Sequence, residues 1–194
     1  MNKTLVVVST IFGSIIILFL SYKLSEACTR SGPVIISHAC EIAEYIVRAT
    51  ALVYSQPPTN PNLRTTGVPA SKVAFRVEEI LKGDSLGSPI EPNGYLTDKD
   101  DFNDHPVPYN FVRRNGRAGS CFANEYKQGA QYLLFLKSSS HVQWPGVTTS
   151  YTVDIDALAP VNEQLHSSDD PWVYYIKGLI AGLRQAKDRR NTIK

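Results

Sequence analysis

Between Gly129 and the serine run Ser138-Ser139-Ser140 lies Tyr132-Leu133-Leu134-Phe135-Leu136, an unbroken run of apolar residues. It is too short for a helix and too uniformly apolar for a strand with one wet face, so it predicts a strand covered on both sides. A chain holding such a strand must supply two covering layers, and the rest of the sequence is read for them.

Other segments pattern as strands. Ile46, Val47, Thr50, Leu52, Val53 and Tyr54 are mostly β-branched or aromatic, and Pro57-Pro58-Thr59-Asn60-Pro61 ends the element they form. Val73, Phe75 and Val77 alternate with Ala74, Arg76 and Glu78, a strand with one buried face, closed by Lys82-Gly83-Asp84. A weaker strand pattern covers Ile90–Thr97, and Thr148–Ile155 alternates again. Residues 98–120 are rich in Asp, Asn, Pro, Gly and Arg, with Tyr109, Phe111 and Val112 their only apolar cluster, and read as a long loop. Two helices are expected. A short one between Ile35 and Tyr45 carries Cys40. A terminal one is capped by Asp170, opens on Pro171, and repeats Trp172, Tyr175, Ile176, Leu179, Ile180 and Leu183 at helical spacing. The fold class is therefore mainly β: an OB-like five-stranded Greek-key barrel with a packed C-terminal amphipathic helix.

The first segment is unlike the rest. Lys3 precedes an apolar run from Leu5 to Leu20, and Ser25-Glu26-Ala27 places small residues where a signal peptidase reads, so cleavage leaves Cys28 first. The division is a signal peptide over 1–27, a domain over 28–187 and a basic tail over 188–194, with the product secreted. Retention of the leader as a membrane anchor is the competing reading, although the run is shorter than the roughly 20 residues that span a bilayer. A lipidated Cys28 is a third, and Glu26 fits it poorly.

Of 20 basic and 18 acidic residues, cleavage removes only Lys3, Lys23 and Glu26, and the near-balance that remains excludes a nucleic-acid partner. The basic residues Arg184, Lys187, Arg189, Arg190 and Lys194 fall at the end of the last helix, where they complement its dipole, a reading set above a membrane-binding patch. Cys28, Cys40 and Cys121 all lie in the exported part; oxidation pairs two and strands one, and the count does not say which.

The order of these features resembles the tissue inhibitors of metalloproteinases and, more broadly, the netrin-like domains that share their OB-type barrel. The resemblance rests on Cys28-Thr29 at the expected start, Cys40 twelve residues on, Ala43–Ala49 as a first strand, and Phe75-Arg76-Val77 leading to Leu81-Lys82-Gly83 as a second. Gly119-Ser120-Cys121 matches the loop cysteine, and Asp170-Pro171-Trp172 the opening of the late helix. The chain departs from the family in having Arg30 where a Cys-x-Cys start has its second cysteine, and in having three cysteines in all. The family's long C-terminal subdomain has no counterpart, which implies a single-domain relative.

The resemblance implies a bridge between Cys28 and Cys121, and a lone thiol at Cys40, buried or paired between chains. It also implies inhibition of zinc metalloproteases. The α-amine and carbonyl oxygen of Cys28 chelate the protease zinc, which has three protein ligands and an open position. Thr29 enters the first primed-side pocket, and Arg30 and Ser31 continue along the cleft, with Gly119 and Ser120 as a second contact edge. The zinc belongs to the target, and the chain itself needs no cofactor.

Each of these residues also has a plainer role: a structural bridge for Cys28 and Cys121, a solvated terminus for Thr29 and Arg30, a turn for Gly119 and Ser120, core packing for Trp172. His38, His105, His141 and His166 show no metal spacing, and Asp98, Asp100, Asp101, Asp104 and His105 lack the glycine and closing glutamate of a calcium loop. No motif points to an enzyme. The alternative from another class is a netrin-like extracellular binding module without inhibitory activity, secreted or, if the leader is retained, anchored to a membrane.

Overall fold

The structure, a computed structural model, describes residues 36–60, 69–103, 106, 113, 123–138, 153–154 and 162–192. A short helix α1 (Ile36–Ile42) leads into the long strand β1 (Tyr45–Gln56), followed by β2 (Lys72–Lys82), β3 (Tyr95–Thr97), β4 (Glu125–Lys127) and β5 (Gln131–Ser138). The pairs β6 (Val153–Asp154) and β7 (Glu163–Gln164) precede the terminal helix α2 (Pro171–Thr192).

The apolar run forms β5, the third strand of an antiparallel sheet ordered β2-β1-β5, with β6 and β7 sharing its far edge. Tyr132 to Leu136 are all fully buried, and they divide by parity between two cores. Leu133 and Phe135 join Ile46, Trp172, Val173, Ile176 and Ile180 beneath the helices. Tyr132, Leu134 and Leu136 join Val47, Ala49, Ala51, Val73, Phe75 and Tyr126 on the other face. The two expected covers are thus α1 and α2 on one side and an aromatic layer on the other. Each buried aliphatic or Phe side chain of β5 contributes roughly 1.5–3 kcal/mol by leaving water.

That aromatic layer is a triangle of edge-to-face rings: Phe75 and Tyr126 at 4.9 Å, Tyr126 and Tyr132 at 5.2 Å, Phe75 and Tyr132 at 5.9 Å. It fits over β1 because Ala49 and Ala51 are small.

The expected strand at 90–97 is broken into pieces. Ile90 bridges Phe75, Asn93 bridges Lys72, and only Tyr95–Thr97 is a strand, paired in parallel with β4. Pro89 and Pro92 have no N–H to donate, so a continuous ladder is impossible there.

Helix α2 begins as expected: Asp170 Oδ1 accepts from the Trp172 amide at 2.9 Å, and its backbone carbonyl accepts from Val173 at 2.9 Å. The helix runs to Thr192, past position 187 into the basic segment. Lys177 on its flank reaches Glu79 at 2.7 Å, and Glu79 also meets Arg48 at 3.5 Å, tying the helix to β2 and β1. Among the described residues the sheet does not close into a barrel.

Candidate functional site

Within the long loop read at 98–120, Arg113 is fully buried. A guanidinium presents five donors in a planar fork, and here the fork is used on backbone carbonyls. Nε donates to the Asn162 carbonyl at 3.0 Å, Nη1 to that of Glu125 at 2.7 Å, and Nη2 to that of Ala123. Asp101 lies 3.5 Å from Nη1, and the guanidinium carbon sits 5.2 Å from the Tyr126 ring and 5.1 Å from that of Tyr132.

Burial raises the phenol pKa of Tyr126 and pushes that of Tyr132 up to about 12, against the lowering effect of Arg113's charge. Both rings therefore face the cation as neutral phenols at physiological pH. Arg113 is thereby bonded to Ala123 and Glu125, ten and twelve residues further along the chain.

A polar seam continues this anchor. Asn162, fully buried, accepts from the Phe135 amide at 3.1 Å and donates to the Tyr126 hydroxyl at 3.3 Å. Gln164 accepts from the Asp101 amide at 2.8 Å and donates to Asp100 at 2.6 Å, while Asn103 donates to Glu163 at 3.1 Å. Lys127 holds Asp100 at 2.7 Å, the chief cause of that carboxyl's lowered pKa. Two acids of the 98–105 run are thus turned to separate partners: Asp100 to Lys127 and Gln164, Asp101 to Arg113. His166 stacks on Phe102 at 4.1 Å and lies 3.1 Å from Asp170. Among the described residues no three of His, Cys, Asp and Glu come together as a metal-binding group.

At the other end of the sheet, Lys82 fastens α1. Its ammonium donates to the carbonyls of Cys40 (2.8 Å), Glu41 (2.8 Å) and Ala43 (2.6 Å), using all three of its protons on groups that the end of a helix leaves unpaired. Cys40 itself is a buried free thiol, its pKa raised to about 11 by burial against the opposing charge of Lys82. Such a thiol is a small core residue rather than a nucleophile.

The residues that the sequence reading places on the inhibitory edge, Cys28, Thr29, Arg30, Ser31, Gly119 and Ser120, lie outside the described residues, as does Cys121 and so the expected bridge. His105 and His141 lie there too. What sequence reasoning missed is the pair of cationic clamps. Arg113 is flanked by Val112 and Arg114 in a polar loop, and Lys82 ends an alternating strand, so both read as solvated charges.

Among the described residues no helix is long and apolar enough to cross a membrane. No family model, curated protein or solved structure matches the chain.

Proposed function

We propose that this chain is a secreted inhibitor of zinc metalloendopeptidases of the tissue-inhibitor type, built on an OB-like five-stranded barrel and acting through a processed N-terminus. In this reading the α-amine and carbonyl oxygen of Cys28 occupy the open position on the protease zinc. Thr29 fills the adjoining specificity pocket, and Arg30, Ser31, Gly119 and Ser120 border the cleft.

The observation that supports it best is the anchor at Arg113. A buried cation with three carbonyl acceptors is a costly device for holding an ordinary surface loop. It suits a loop whose cysteine must clamp a chain terminus in a fixed pose, because an inhibitor gains affinity from any ordering completed before binding. The mainly antiparallel sheet and the terminal helix entered through Asp170-Pro171-Trp172 agree with the same reading.

The chemistry sets a strict condition. A free α-amine has a pKa of roughly 8, so near neutrality part of it is unprotonated and metal binding displaces the remaining proton. An amide nitrogen delocalises its lone pair and cannot coordinate in this way, so an uncleaved or extended N-terminus abolishes inhibition while leaving the fold intact.

The test is intact mass and N-terminal sequence of the exported protein without reduction, followed by titration against a panel of zinc endopeptidases. The expected result is a chain beginning at an unmodified Cys28, with a Cys28–Cys121 bridge and stoichiometric inhibition. That inhibition should be lost on adding one residue before Cys28 and weakened by Thr29→Gly without a change in melting temperature. A retained leader, a lipidated amine, or equal potency of the extended chain overturns the proposal in favour of a netrin-like binding module that uses the barrel only as a scaffold.

A further inference from the structure

Helix α2 packs on the sheet through Trp172, Val173, Ile176 and Ile180, and the same stripe continues along the helix as Leu183, Arg184, Lys187 and Asn191. Beyond the core this stripe faces the gap between α2, α1 and β2. Together with Arg190, with Cys40 and Glu41 of α1 and with Lys82 of β2, it lines a cavity of about 910 Å³. The floor is apolar, from Ile180 and Leu183. The rim is cationic, with Lys82, Arg184, Lys187 and Arg190 set against Glu41.

Most of this charge is uncommitted. Lys82 spends its three protons on the carbonyls that close α1 and contributes only its field. Among the described residues Arg184 and Lys187 enter no ion pair, and Arg190 bonds only the Ala186 carbonyl, at 3.3 Å. Arg184 and Lys187 stand close enough to Lys82 to help lower its pKa, after burial, which is the larger cause. The helix dipole accounts for cations in the last turn, and the clamp on α1 for Lys82, but neither neutralises the charge that Arg184 and Lys187 add beside it.

An apolar floor ringed by cations that form no ion pair among the described residues is complementary to an amphiphile with an anionic head. We propose that this cavity binds the head group of an anionic phospholipid at a bilayer surface. The phosphate lies on Arg184, Lys187 and Arg190, and the glycerol and first acyl carbons lie over Ile180 and Leu183. The site is separate from the inhibitory edge and stands whether or not the chain inhibits a protease. Its consequence is to hold the protein at membranes rather than free in solution.

Cosedimentation with vesicles of phosphatidylcholine, alone or doped with phosphatidylglycerol, tests it on the protein as recovered from its compartment. Any contribution of residues 1–27 is common to every variant, so each variant is compared with the parent on the same vesicles, and phosphatidylcholine binding is subtracted to read the increment that phosphatidylglycerol adds. Binding should require phosphatidylglycerol. It should fall on the order of a hundredfold when Arg184, Lys187 and Arg190 are all changed to Gln, about fivefold for each cation held near an anionic surface.

Lys187→Gln should cost more than Arg189→Gln, which removes the same charge from the opposite side of the helix. Leu183→Ser should weaken vesicle binding but not binding of glycerol phosphate. All these positions are exposed or half-buried, and circular dichroism confirms that the variants fold. Equal binding to phosphatidylcholine alone, an unimpaired triple variant, or equal losses for Lys187→Gln and Arg189→Gln overturn the proposal. So does saturation by glycerol phosphate as tight as that by vesicles, which would mean that the site takes a free phosphate instead.

Discussion

Replacing Arg113 by Met keeps the unbranched stem of the side chain and removes the fork. Three backbone carbonyls, those of Ala123, Glu125 and Asn162, then lose a charged donor, and Asp101 loses its cation. A hydrogen bond to a charged group is worth about 1.5–3 kcal/mol, but the bonds do not simply add, since Met also removes the cost of burying a guanidinium. Breaking one partner out of a buried ion pair costs about 3–5 kcal/mol, and that is the figure expected here. In a domain of this size each kcal/mol moves the melting temperature by about 2–4 °C, so the variant should melt about 6–20 °C lower. Arg113→Lys should recover little, because an ammonium on a shorter reach cannot address three carbonyls spread across two segments. Thermal unfolding followed by circular dichroism measures the loss, and amide exchange across residues 123–127 should rise before the rest of the sheet opens. A melting temperature for Arg113→Met equal to the parent's would refute the reasoning, since it would mean that water satisfies those carbonyls as well as arginine does.

Glycine substitutions should split in sign. A Cβ on Gly94 lies 2.5 Å from the Tyr126 ring and 2.9 Å from the Asn124 carbonyl, so Gly94→Ala should cost about 1–3 kcal/mol through overpacking, whereas Gly178→Ala, on an open helix face, should gain about 0.5–1 kcal/mol; denaturant titration reads both. Cys40, buried and with its thiol near pKa 11, should resist alkylation at neutral pH until denaturant is added, as mass mapping of the modified cysteine will show. Glu79 has its pKa lowered first by the hydrogen bond from Lys177, so the unfolded chain binds its proton more readily than the native one. The resulting stability is present above the ordinary carboxylate value near 4.5 and is lost as pH falls through the lower native one. Melting temperature should therefore drop on acidification below that point, and Glu79→Gln should flatten the drop.

The sheet was readable wherever burial imposed a period. The parity split of Tyr132–Leu136, the alternation around Phe75 and the spacing from Trp172 to Leu183 follow from which faces must leave water, and the apolar pattern records that requirement directly. The fragmented stretch at 90–97 was harder, because Pro92, with Pro89 just ahead of the stretch, interrupts hydrogen bonding in a segment whose apolar content still resembles a strand. The clamps were not readable at all. A charged side chain that bonds backbone carbonyls leaves no trace in its own neighbourhood of sequence: the acceptors of Arg113 belong to residues 123, 125 and 162, and those of Lys82 to residues 40, 41 and 43. Main-chain acceptors are present at every position, so no residue type at those sites marks them as partners.

This dependence on backbone carbonyls bears on how an inhibitor of the proposed kind could manage with three cysteines. In the proposed family the second cysteine is bridged toward the end of the chain, fixing the element that follows the inhibitory terminus. Here Cys40 is a free thiol in α1, and the same element is held by Lys82 from β2 through three carbonyls. The two fastenings act on different states. A disulfide stabilises mainly by restricting the unfolded chain, whereas a lysine clamp acts only once β2 has formed beside α1. Helix α1 is then held by the folded sheet rather than by a covalent link of its own, and its fixity rises and falls with the stability of β2 itself. In an inhibitor built this way, Lys82→Met would loosen the N-terminal edge at a distance, weakening inhibition while Cys28, Thr29 and their bridge remain chemically intact.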